Sequence, residues 1–130
     1  MLTSLTGWAV APSMKLFHIK EALVAKYLLK VSYSNEGIKG VMKEGGTSRV
    51  AAVEKTVAGM GGSLEGFYFA FGDSDVYVIA DLPDHASAMA VAATVGSSGA
   101  LSSYETVVLV SPEEIDAAMK KAVDYRPPGA

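Results

Sequence analysis

Five tyrosines, one lysine and a pair of aspartates are the side chains of this sequence whose spacing suits chemistry. Tyr27, Tyr33, Tyr68, Tyr77 and Tyr104 each sit in a run with the alternation of a β-strand. Strand tyrosines are most often core or interface residues, but one facing an enclosed space sets a hydroxyl at the tip of an apolar ring. Lys30, Ser32, Glu105 and Thr106 share those runs and would add charge and further hydroxyls to an apolar pocket. Asp73 and Asp75 flank the turn Gly72-Asp73-Ser74-Asp75, where aspartate commonly bonds its own backbone. At the strand edge of a pocket, Asp75 would instead be a base or a ligand anchor. The expected ligand-binding set is therefore Tyr33, Tyr68, Asp75, Tyr77 and Lys30, with no catalytic residue assigned. Alternation alone leaves open which of these side chains face inward.

Other chemistries are excluded or unsupported. The chain has no cysteine, which removes disulfides, zinc–thiolate sites, iron–sulfur clusters and thiol catalysis. Its two histidines, His18 and His85, lack the carboxylate spacing of a metal site, and no cofactor is expected. His85 follows Asp84 at a helix start, the pattern of a capping aspartate beside an exposed histidine. Gly45-Gly46-Thr47-Ser48 precedes a helix but lacks the lysine and spacing of a phosphate loop. Ser97 and Ser98 have no histidine partner in view. The formal charge is −3, with basic residues scattered rather than clustered; nucleic-acid binders usually show a basic patch. No apolar run approaches the roughly 18 residues of a membrane helix. The expected setting is the cytoplasm, with neither nucleic acid nor membrane as partner.

The elements that would position these residues follow from periodicity. Tyr27, Leu29, Val31 and Tyr33 alternate with Lys26, Leu28, Lys30 and Ser32, the period of a first strand. Asn35-Glu36-Gly37 breaks it, and Ile38–Lys43 reads as a short helical turn. Thr47 or Ser48 is the expected cap of a helix carrying Val50, Val53, Val57 and Met60 on one face. Gly61 or Gly62 is its expected left-handed end. Strands over Leu64–Phe71 and Val76–Leu82 are joined by the short turn as a hairpin. Pro83-Asp84 opens a small-residue helix to about Val95. A fourth strand over Leu101–Val110 follows, and Ser111-Pro112-Glu113-Glu114 carries a capping-box start. Ile115, Met119 and Ala122 are the expected inner face of that last helix.

The order is the split βαβ plan: an α+β, ferredoxin-like βαββαβ antiparallel sheet with helices on one face, plus a C-terminal helix. Residues 25–130 are taken as this domain, and 1–24 as an extension that is disordered or a start-site artefact, a better reading than a secretory signal despite Ala9-Val10-Ala11. A helical turn or two is expected within Met14–Val24. In the middle strands both alternating sets carry apolar residues: Phe67, Phe69 and Phe71 against Leu64, Tyr68 and Ala70. A sheet with one wet face alternates apolar and polar. The uncovered face spans ~300 Å², the size of a typical assembly surface. Its simplest cover is the same face of a twin subunit, a closed two-fold dimer.

The runs Gly66-Phe67-Tyr68-Phe69-Ala70-Phe71-Gly72 and Asp73-Ser74-Asp75-Val76-Tyr77-Val78 resemble the GYD-domain family. So do Lys26-Tyr27-Leu28, Gly45-Gly46-Thr47, Ser111-Pro112-Glu113-Glu114 and the tail Tyr125-Arg126-Pro127-Pro128-Gly129, over about residues 25–129. One departure is Ser74, which precedes Asp75 where the family's naming motif commonly has tyrosine. The resemblance implies a dimeric α/β barrel of bacterial type and leaves its activity open. The expected function is a homodimer, or higher oligomer of dimers, binding a small, partly apolar ligand between the sheets. The alternative is a cofactor-independent enzyme, oxygenase- or isomerase-like, using a tyrosine or aspartate in a closed pocket. A ligand-sensing regulatory module would need a partner domain.

Overall fold

The computed structural model describes residues 25–130; the expectations for residues 1–24, His18 among them, lie outside the described residues. Strand β1 spans Ala25–Tyr33, followed by helices α1 (Asn35–Glu44) and α2 (Gly46–Gly59). Strands β2 (Ser63–Phe69) and β3 (Val76–Leu82) form the hairpin. Helix α3 (His85–Gly96), strand β4 (Leu101–Leu109) and helix α4 (Pro112–Met119) complete the chain. The four strands run in the order β2-β3-β1-β4, every neighbouring pair antiparallel. This is the ferredoxin-like arrangement of an α+β fold.

The helix-side face is built by alternation. Tyr27, Leu29 and Val31 of β1 and Val76, Val78, Ala80 and Leu82 of β3 are buried. Val57 of α2 and Ala88 of α3 join them in one cluster, which places both crossover helices on the same face. Burying a side chain such as Leu82 or Val78 is worth roughly 1.5–3 kcal/mol, so these two central strands anchor the layer.

Several local expectations change. The first helix is a full element rather than a turn, because Ser34 caps it: its hydroxyl accepts from the Gly37 N–H at 3.1 Å. Ser34 also ties α1 to the start of β4, its N–H donating to the Ala100 carbonyl at 2.9 Å. Gly37 permits that approach, since a Cβ there would lie 1.9 Å from the Ala100 oxygen. Helix α2 is entered through Gly45, not capped by Thr47 or Ser48. Gly45 adopts a φ of 89°, a region that side chains with a Cβ rarely enter. Gly61, with a φ of 81°, is the left-handed residue at the far end.

Strand β2 carries an irregularity between Leu64 and Gly66. The extra residue reverses the alternation, so Leu64 packs on the helix side with Phe67 instead of facing away with Tyr68. Phe67 and Phe69 meet edge to face at 5.3 Å, whereas Phe71 lies beyond the strand and is fully exposed. The capping box of α4 forms as expected, Ser111 and Glu114 bonding each other's backbone N–H. Its inner face does not: no residue of α4 is buried, Ile115 and Met119 are exposed, and Ala122 lies past the helix end. The apolar spacing is present, but the described residues offer no surface opposite it.

Candidate functional site

The sheet presents two unlike surfaces. On the open face, pairing sets side chains in rows across the strands. One row holds Asp81, Lys26 and Leu109, with Glu65 at the bulge; the next holds Gly66, Ile79, Leu28 and Val107. The third runs Tyr68, Tyr77, Lys30 and Glu105. Lys26 bonds both Glu65 and Asp81, the latter at 2.9 Å, and Lys30 lies 3.5 Å from Glu105. The Glu65 and Asp81 hydrogen bonds hold the Lys26 ammonium above its ordinary pKa. The apolar band is therefore one row wide, flanked by two charged rows whose lysine stems lie along it. That is less greasy than alternation predicts, because the bulge withdraws Leu64 and both phenylalanines sit on the other side.

Three of the five expected ligand-binding residues, Lys30, Tyr77 and Tyr68, come together in that third row. Tyr33 packs on the helix side against the core. Burial raises its phenol above 10.0, against the pull of the Arg49 guanidinium. Asp75 accepts the Tyr33 N–H at 2.9 Å, and its own N–H donates to the Val31 carbonyl at 2.8 Å. It locks the end of β1 to the hairpin turn, the backbone role open to a turn aspartate.

The helix side holds what sequence reasoning missed. Between α3 and the edge strand β4 lies an open cleft of about 560 Å³. Ala88, Met89 and Ala92 form its helical wall, and Tyr104, Thr106 and Val108 its strand wall. Helix α3 is rich in alanine, and its short side chains leave the edge of β4 uncovered among the described residues. At one end, the Tyr27 hydroxyl lies 2.5 Å from His85 Nδ1, with the rings edge to face at 5.7 Å. Tyr27 is 1% exposed. Burial, and then the nearby Asp84 carboxylate, raise its pKa above 10.0. Burial also raises that of Tyr104, offset in part by the adjacent Thr106 hydroxyl. The Tyr104 hydroxyl is itself buried with no well-formed hydrogen bond among the described residues.

His85 occupies the first turn of α3, with Asp84 capping as expected by accepting from the Ser87 N–H at 2.8 Å. Its link to Tyr27 had a signal in strand register. Residues 25–27 pair with 80–82, so the chain returning just past Leu82 passes over the start of β1. Among the described residues no group of three or more histidine, aspartate or glutamate side chains gathers as metal ligands would. No described helix is long and apolar enough to cross a membrane.

A four-stranded antiparallel sheet with both crossover helices on one face and a tyrosine–histidine cleft beneath one of them defines a ferredoxin-like α+β domain. The family model described as GYD domain matches residues 27–119. The chain belongs to the GYD-domain family. No curated protein matches it.

Proposed function

We propose that the domain works as a homodimer joined through its open sheet faces, each protomer binding one small, mostly apolar ligand in the helix-side cleft. The observation that carries the ligand reading is the cleft itself. It pairs apolar walls with a few convergent polar groups, Tyr27–His85 and Tyr104, the usual make-up of a small-molecule site. The cleft replaces the space between the sheets as the favoured location, because both open-face lysines are already held in ion pairs.

The open face supports assembly through its own pattern. A two-fold axis along the strands, between β3 and β1, lays each row on the same row of the second copy. Ile79 then meets Leu28 of the partner subunit, Asp81 meets Lys26 of the partner subunit, and Tyr77 meets Lys30 of the partner subunit. Such self-complementarity is what an isologous interface requires. An enzyme built on acid–base use of the tyrosines is the weaker reading: burial holds the protons of Tyr27 and Tyr104 more tightly than usual, opposite to what a base near neutrality needs.

Light scattering tests the assembly, with a mass of twice 13.5 kDa expected. NMR mapping of hits from a metabolite panel tests the site, with shifts expected at Ala88 and Ala92. A monomer at high concentration would sink the first half of the reading. Hits mapping to Leu28 and Ile79 would sink the second.

A further inference from the structure

We propose that the helix-side cleft selects uncharged apolar molecules that carry a carbonyl oxygen. The inference rests on reading the cleft as a ligand site and names what that site recognises. Tyr27 keeps its proton, and its hydroxyl is bonded only to His85 Nδ1 among the described residues. A buried phenol proton needs an acceptor, so Nδ1 accepts and the ring's hydrogen sits on Nε2. His85 therefore offers the cleft a donor and no acceptor. Tyr104 supplies a second donor, a buried hydroxyl without a well-formed partner among the described residues. A buried polar group left unpaired costs free energy that a ligand atom can recover. A carbonyl oxygen only accepts, and so matches a site that offers donors.

Charge decides between carbonyl classes. Among the described residues the cleft is lined by no lysine or arginine, and the charge acting on Tyr27 from nearby is the carboxylate of Asp84. A carboxylate or phosphate would be stripped of water there without a counter-charge. A ketone, ester or quinone oxygen would not. The walls of alanine, methionine and valine then take up the apolar body.

The test uses the full chain and three matched probes: 2-acetylnaphthalene, 2-ethylnaphthalene and 2-naphthoate, with binding followed by amide shifts at Ala88 and Ala92. The ketone is expected to bind about tenfold tighter than the hydrocarbon, the worth of one good hydrogen bond to the site, and the carboxylate weakest. His85→Phe and Tyr104→Phe should each erase part of the ketone's advantage while leaving the hydrocarbon unchanged. His85 is exposed, so that variant should fold; Tyr104→Phe keeps the ring and serves as the second arm. Equal binding of ketone and hydrocarbon, or tightest binding of the carboxylate, overturns the selectivity and leaves the cleft as a site. Failure of all three probes to shift Ala88 and Ala92 overturns the cleft reading itself, and this inference with it.

Discussion

The two faces of this sheet are made by the same strands yet resolve their polar groups in opposite ways. On the open face, Lys26 and Lys30 reach sideways to carboxylates in their own rows, so each lysine is paired before any partner arrives. On the helix face, burial is deep along β1 and β3 but thins toward β4, where the Tyr104 hydroxyl has no well-formed bond among the described residues. A surface that satisfies its own charges suits a rigid joint between copies. A cleft with an unpaired donor suits a ligand that comes and goes.

The sharpest way to break this contrast is to cut each face at its centre. Leu82→Ala, on the helix side at 1% exposure, should lower unfolding free energy by about 2–5 kcal/mol in urea melts, whatever the protein concentration. Leu28→Asp, on the open face, should leave the far-UV circular dichroism intact and convert the proposed dimer to monomer in light scattering. If Leu28→Asp unfolds the chain as severely as Leu82→Ala, the faces do not divide the work.

High pH sharpens it further. Tyr27, Tyr33 and Tyr104 all pack on the helix side, and burial raises the pKa of each above 10.0. A group whose folded pKa is raised adds stability that is complete below its unfolded value and is lost as pH climbs through the folded one. Lys26 acts in the same direction above 10.5. Ultraviolet titration should therefore show three of the six tyrosines ionising late and together with unfolding. If all six ionised in one step with the fold intact, the helix side would be wetter than described.

Much of the layer was legible from the sequence because it follows from local rules. The span of β3, the alternation of β1 and β4, the Asp84 cap and the Ser111 capping box are each encoded within a few residues. What escaped depends on more than neighbours. One extra residue in β2 moves Leu64 across the sheet, and alternation cannot announce its own interruption. The inner face of α4 was inferred from spacing, but spacing does not supply a surface to pack on. The cleft is a hole, set by where the alanines of α3 stop short of β4. Candidate residues chosen by type could find the tyrosines, but not the space beside Tyr104.

Two hydroxyl deletions within the cleft separate a satisfied group from an unsatisfied one. Tyr27→Phe removes the partner of His85 Nδ1 and should cost about 1 kcal/mol, the net worth of one hydrogen bond. Tyr104→Phe removes a buried hydroxyl lacking a well-formed bond, so stability should stay level or rise. Calorimetric melts of the two variants side by side read the difference. A larger loss from Tyr104→Phe would mean that its hydroxyl is well bonded after all.

The smallest effect is expected where the charges look most numerous. Lys26 holds two carboxylates, yet its side chain and that of Glu65 are 42% and 52% exposed, so water and salt screen much of the attraction. Exposed pairs of this kind contribute about 0.2–1 kcal/mol, and Lys26→Met should fall in the lower half of that range when stability is measured on dilute, monomeric protein. Dimer strength is a different matter. In the proposed two-fold arrangement Lys26 also faces Asp81 of the partner subunit, and its removal leaves Asp81 without a counter-charge across a joint that excludes solvent. The same substitution should then weaken association by more than it weakens the fold, and added salt should narrow that gap. Equal losses in both measurements would mean that Lys26 does no more than tie its own row together, and the open faces would have to meet in some other register.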